Sequence, residues 1–182
     1  MASVFTVETG TGIATANSYV TVAEATQYLE NSGRKDGTWG NASSKEKEAA
    51  LVTAFYYMLA RWNGKWRGYP ANEDQAGDWP QRDQLKKSGH AYNDSEIAVA
   101  VKNSQIEYAL IEAGSAGALF PNPEYDDTNR AVTGKTDVVG PITETRQFSD
   151  RSQPSTWRKF PLADNLLNHL VHSGSVKSLS RM

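Results

Sequence analysis

Apolar residues recur at three- and four-residue spacing in four stretches of the chain, and each stretch carries the punctuation of a helix. Thr21 and Glu24 form a capping box, hydroxyl and carboxylate placed to satisfy the free N–H groups of a helix start. Val22, Ala25, Tyr28 and Leu29 follow on one face, to about Ser32, before Gly33. Ser43 and Glu46 repeat the box ahead of Leu51, Phe55, Met58, Leu59 and Trp62, which predicts a second helix ended by Asn63-Gly64. Lys45, Lys47, Glu48 and Arg61 are expected to decorate its ends. In a third helix, Asn93, Asp94 or Ser95 caps the stripe Ile97, Val101, Ser104, Tyr108 and Ile111, with Leu110 beside it and Gly114 and Gly117 after it. A short last helix, Pro161 to about His172, has proline in its first turn and places Leu162, Leu166, Leu167 and Leu170 together.

Between these stretches the pattern changes. TGTGIATANSYVT, within the first twenty residues, reads as an extended arm or loop, and RKDGTWGN (34–41) as a glycine-broken loop. Residues 64–93 are punctuated by Pro70, Gly77, Pro80 and Gly89, so a long irregular segment must hold itself in order. At Val132, Val138, Ile142 and Phe148, interspersed with threonines, the period shortens to that of strands. A hairpin joined or bulged near Gly140-Pro141 and an extended excursion are both compatible with it. The expected fold is mainly α with a small β element: a helical-bundle core over 1–174 with an N-terminal arm (1–20), a long ordered loop, a projecting β excursion at about 132–148, and a C-terminal tail (175–182).

A chain of 182 residues can bury roughly 70% of its unfolded surface, so this fold needs no covalent staples. There is no cysteine, and the start MASVFTVETG has neither a basic run nor an apolar one. No transmembrane stretch is expected. The net charge of −2 argues against a dedicated nucleic-acid binder, but charge runs in blocks. Arg34–Gly68 holds seven basic and three acidic residues, whereas Tyr69–Arg130 holds five basic and eleven acidic.

Chemistry leaves little local signature. GTG at 10–12 lacks the third glycine and the preceding strand of a phosphate motif. His169 and His172, with Asp164 nearby, lack a third ligand of metal-site type, and Asp74, Asp78 and Asp83 match no acid–base or magnesium spacing. No GxSxG elbow occurs, and His90 lies among polar loop residues. The reading is of a non-enzyme without catalytic, metal or cofactor residues.

The stretch RWNGKWRGYPANEDQAGDWP (61–80) admits two readings. As a nucleic-acid platform, its indoles would stack on bases while Arg61, Lys65 and Arg67 met phosphates. As a structural latch, Trp62, Trp66, Tyr69, Trp79 and Pro80 would pack back on the helices. Trp62 continues the second helix's stripe and acids crowd Trp79, which favours the latch.

ANSYVTVAEATQYL, KEAALVTAFYYMLARWNGKWRGYPANEDQAGDWPQ, SEIAVAVKNSQIEYAL and VVGPITE occur in this order over most of the chain. Together they resemble a group of tailed-bacteriophage proteins labelled DnaT-like single-stranded DNA-binding proteins, which look like head-to-tail adaptors. The resemblance implies a structural virion protein of the neck, present in the host cytoplasm before assembly. Its partners would be further copies in a ring of twelve, the portal above and a tail or nozzle protein below. DNA would pass without sequence-specific binding, and no membrane is involved. It further implies that Val176, Lys177, Leu179, Arg181 and Met182 dock on the portal, although free disorder fits the tail's sequence equally well. The alternative is a replication-associated single-stranded DNA binder with Trp62–Trp79 as its face.

Overall fold

The computed structural model describes residues 4–120, 132–138, 143–148 and 158–172. Five helices run through them: α1 (Val22–Asn31), α2 (Thr38–Asn41), α3 (Ser44–Trp62), α4 (Val99–Gly114) and α5 (Pro161–Leu167). Two short strands, β1 (Tyr69–Pro70) and β2 (Gln81–Arg82), pair antiparallel within the loop after α3, and β3 (Val132–Val138) pairs antiparallel with β4 (Thr143–Phe148). The architecture is mainly α with a small β element.

Both expected capping boxes are present. Thr21 and Ser43 accept from the N–H groups of Glu24 and Glu46, and both glutamates reach back to the cap backbone. Hydrogen bonding to Ser43 holds the Glu46 carboxyl below its ordinary range. The α3 stripe is buried as its spacing predicts: Leu51 and Phe55 are fully enclosed and Met58 nearly so.

Two expectations about helix starts need correction. RKDGTWGN is not all loop, because Thr38–Asn41 winds into one turn that buries Trp39, whose Nε1 donates to Thr26 Oγ1 at 3.1 Å. Helix α4 begins at Val99, after Ala98, rather than at Asn93–Ser95. Those residues close a separate turn, with Glu96 N–H on Asn93 O at 2.8 Å, and the Glu96 carboxylate is drawn to Lys86.

Helix α4 packs against each of the other four helices. So enclosed a helix buries more than one face, and its polar residues must be satisfied internally. Gln105 accepts from Tyr19 N–H at 2.8 Å and donates to Ser18 Oγ and to Leu51 O. Glu107 accepts from Tyr28 Oη and from both terminal nitrogens of Arg34. Ser104 donates to Ala163 O. Ser104, Gln105 and Glu107 therefore join α4 to the N-terminal segment, α1, α3 and α5.

The N-terminal segment is correspondingly folded rather than extended. Glu8, only 2% exposed, turns its carboxylate onto the N–H groups of Gly10, Gly12 and Ile13 at 2.8, 3.0 and 2.6 Å. The glycines have left-handed φ values of 102° and 73°, and a Cβ on Gly10 would stand 1.9 Å from Ser95 O. The GTG turn thus cradles an anion that belongs to the chain itself.

The chain separates into two compact units: Met1–Leu119 with Lys159–Met182, and Phe120–Arg158. The second holds a hairpin, so the strand signal resolves in favour of pairing. Its register runs from Val132↔Phe148 to Val138↔Thr143 and shifts between Val132 and Gly134. The irregularity therefore lies near the hairpin's open end; Gly140-Pro141, where the strands were expected to be joined or bulged, is outside the described residues.

Gln105→Ala should strand the buried Tyr19 N–H and remove two further buried bonds, to Ser18 Oγ and Leu51 O, costing about 3 kcal/mol and lowering the melting temperature by roughly 6–12 °C. Thermal unfolding by circular dichroism checks this, and a change within about 2 °C would mean that the bonds carry no net stability.

Candidate functional site: the aromatic segment after α3

Of the residues expected to form the latch, four are buried. Trp62 and Trp66 are each 8% exposed, Trp79 is fully enclosed and Pro80 is buried. The rings form a continuous run: Trp62 to Trp66 at 6.5 Å, Trp66 to Trp79 edge-on at 5.9 Å, and Trp79 to Tyr92 edge-on at 5.5 Å between centroids. Edge-to-face geometry places the positive ring edge against the negative face. Tyr69 is the exception: at 67% exposed it stands outside the latch.

Buried indoles need acceptors. Trp62 Nε1 donates to Tyr108 Oη at 3.3 Å and Trp66 Nε1 to Asp78 Oδ2 at 2.8 Å. Asp78 is therefore not a repulsive surface acid. Burial pushes its carboxyl above the ordinary aspartate range, and the Trp66 bond opposes that rise. Trp79 Nε1 has no partner among the described residues, so burial of the ring must outweigh an unmet donor. The Trp79-Pro80 peptide is cis.

Three sets of contacts hold the segment. Tyr19 Oη accepts from Trp79 N–H at 3.3 Å, while its ring packs on Phe55. Gly77 lies so close to Tyr19 that a Cβ would meet its hydroxyl at 2.6 Å. Asn72 donates to Thr11 O, and Ala76 N–H to Ile13 O, which joins the loop to the N-terminal turn. At the other end the chain after α5 forms an antiparallel bridge, Trp66↔Val171, with Arg67 N–H on Leu170 O and His172 N–H on Lys65 O.

Arg61, expected at a solvated helix end, is 7% exposed and paired with Asp164. Tyr108 Oη also donates to Asp164, and the Arg61 guanidinium lies 5.1 Å from the Trp62 centroid. Asp164 is thus spent on the scaffold rather than on His169 and His172. Among the described residues no group of three or more His, Asp or Glu could hold a metal ion, and no helix is long and apolar enough to cross a membrane. The five residues expected to dock on the portal, Val176 to Met182, lie outside the described residues.

Outward from the indoles the picture reverses. Along Lys65–Tyr69 exposure alternates: Lys65, Arg67 and Tyr69 face solvent while Trp66 and Gly68 are buried. Gly68 N–H is held by the buried Gln84 at 3.0 Å, and Tyr69 pairs with Arg82 across β1–β2. Period-two alternation in KWRGY was the available signal for this division, obscured by the clustering of aromatic and basic residues.

The sequence model of one family, described as "Putative DnaT-like ssDNA binding protein", matches residues 3–182, and the chain belongs to that family. Comparison with curated proteins and with solved structures returns no match.

Asp78→Asn keeps an acceptor for Trp66 but removes a charge that burial disfavours. The folded-state pKa is raised, so the wild type forfeits stability as pH rises through that value. The asparagine variant should melt higher than wild type at pH 7, with the difference closing as pH falls through the carboxylate range. Melting temperatures across pH 3–7 check the sign; a deficit at pH 7 that closes as pH falls would mean that the charge itself is needed. Trp79→Ala should cost about 3–5 kcal/mol, measurable by urea unfolding.

Proposed function

We propose that the protein is a non-enzymatic component of a tailed-bacteriophage virion, a subunit of a ring that joins the portal to the tail and lets DNA pass. The observation that carries this reading is the inward packing of Trp62, Trp66 and Trp79. With the indoles committed to the core, the long loop serves as scaffold and leaves no exposed indole platform for bases. A separate hairpin unit at Phe120–Arg158 and the C-terminal tail expected from the sequence at 175–182 supply the kind of segments by which ring subunits hold their neighbours. The sequence resemblance to head-to-tail adaptors supports the same reading, with the portal above, a tail or nozzle protein below, and host cytoplasm as the site of the unassembled chain.

A second reading, single-stranded DNA binding, is favoured directly by the family's description, more so than the connector. Such a function would have to use a surface other than the indoles.

Native mass spectrometry of the full chain mixed with portal should reveal a ring, twelve copies by this proposal. Deleting residues 176–182 should abolish portal association while leaving the melting temperature within about 1–2 °C, as expected for surface changes. Absence of any high-order assembly at every concentration would remove the connector reading.

A further inference from the structure

The loop's buried indoles have an exposed, basic counterpart. Lys65, Arg67 and Tyr69 are exposed within five residues, where a turn and bend lead into β1, and Arg82 lies opposite Tyr69 in the β1–β2 pair. Lys87 belongs to the same neighbourhood: it and Arg67 both act on His169, whose imidazole is held below its ordinary range by burial first and then by these two cations. Among the described residues, no ion pair engages Lys65, Arg67, Arg82 or Lys87. Several adjacent acids are spent elsewhere. Asp78 is turned inward to Trp66, Glu96 pairs with Lys86 and Asp164 with Arg61, which leaves exposed Asp83 beside Arg82 and exposed Glu73 and Asp74 in the connection between β1 and β2.

The face is also held firmly. Arg67 is fixed at both its N–H and its Nε by Leu170 O and Val171 O, at 3.1 Å each. Lys65 Nζ donates to Arg61 O at 2.7 Å, and the Gly68 N–H is tied to Gln84. Exposed cations two residues apart in a short stretch leading into β1, with a solvent-facing ring beside them, match what a flexible polyanion with aromatic bases offers. Phosphates meet guanidinium and ammonium groups, and a base stacks on the phenol. An acidic protein surface would use the charges but has no matching use for the exposed ring.

We propose that Lys65, Arg67, Tyr69, Arg82 and Lys87 form a binding face for single-stranded DNA, with the four cations on phosphates and Tyr69 stacked on a base. This rests on the second functional reading, and relocates its site from the indoles to the exposed cations and phenol of the same segment.

The test is fluorescence anisotropy of the full-length protein with a labelled oligothymidine and with a duplex of equal length, over a range of salt. Neutralising about four phosphates predicts a slope of log K against log salt near −3, at about −0.7 per contact. Arg67→Ala should weaken binding and reduce the slope by about 0.7. Tyr69→Ala, at an exposed position, should keep the melting temperature and weaken oligothymidine binding about 5- to 100-fold, with little effect on duplex. Lys45→Ala, which removes an exposed charge from α3, should change neither. Oligothymidine binding that is insensitive to both Tyr69→Ala and Arg67→Ala would overturn the face while leaving the reading intact. No binding by the wild type even at low salt would overturn the reading itself, and the face with it. Equal loss of duplex and oligothymidine on Tyr69→Ala would overturn the stacking assignment.

Discussion

Burying Trp66 and Trp79 is the constraint on which the central segment depends. An indole carries a large apolar area and one N–H, so enclosing it demands both close-packed neighbours and an acceptor. Trp66 takes Asp78 as acceptor, and that choice brings the chain back across itself between residues 66 and 78. β1–β2 pairing then closes the loop, and Tyr19 and Asn72 fasten it to the N-terminal turn. The segment after α5 adds the Trp66↔Val171 bridge, so residues far apart in sequence converge on the same ring. A connection of about thirty residues, with only the short β1–β2 pair as regular structure, stays ordered because its side chains form part of the core.

The same logic extends through α4. Its central position leaves no solvated face for Gln105 and Glu107, and each is answered by a specific partner from another element. Removing one partner from such a network costs more than the bond is worth in water, because the remaining group stays buried and unmet. Polar contacts of this kind fix which residue of one helix faces which residue of the next. The helices, the N-terminal turn and the aromatic segment are thereby locked into one register.

Helix existence and type were legible in the residues wherever caps and apolar spacing agreed, as at Thr21–Glu24 and Ser43–Glu46. The start of α4 was misplaced because Asn93 and Asp94 favour any turn, and a separate turn claimed them. Arg61 reads as decoration of a helix end because residue type alone assigns charge to the surface, and nothing local marks Gln105 and Glu107 as buried; only their partners, 103, 86 and 73 positions distant, make burial tolerable. The GTG turn read as a weak phosphate motif, and its amides do cradle an anion, but the carboxylate is Glu8. Among the latch residues Tyr69 was grouped with the tryptophans by proximity in sequence, whereas strand alternation sends it outward.

Membership of a family described by single-stranded DNA binding and a core that consumes the indoles are reconciled if nucleic acid meets the outer side of the same segment. The most direct measurement of the inward-indole account is acrylamide quenching of tryptophan fluorescence in the Trp157→Phe protein, which leaves Trp39, Trp62, Trp66 and Trp79 as reporters. The account predicts blue-shifted emission, weak quenching, and no further protection when oligothymidine is added. Emission typical of water-exposed indole, strongly quenched and then shielded by the oligonucleotide, would contradict it.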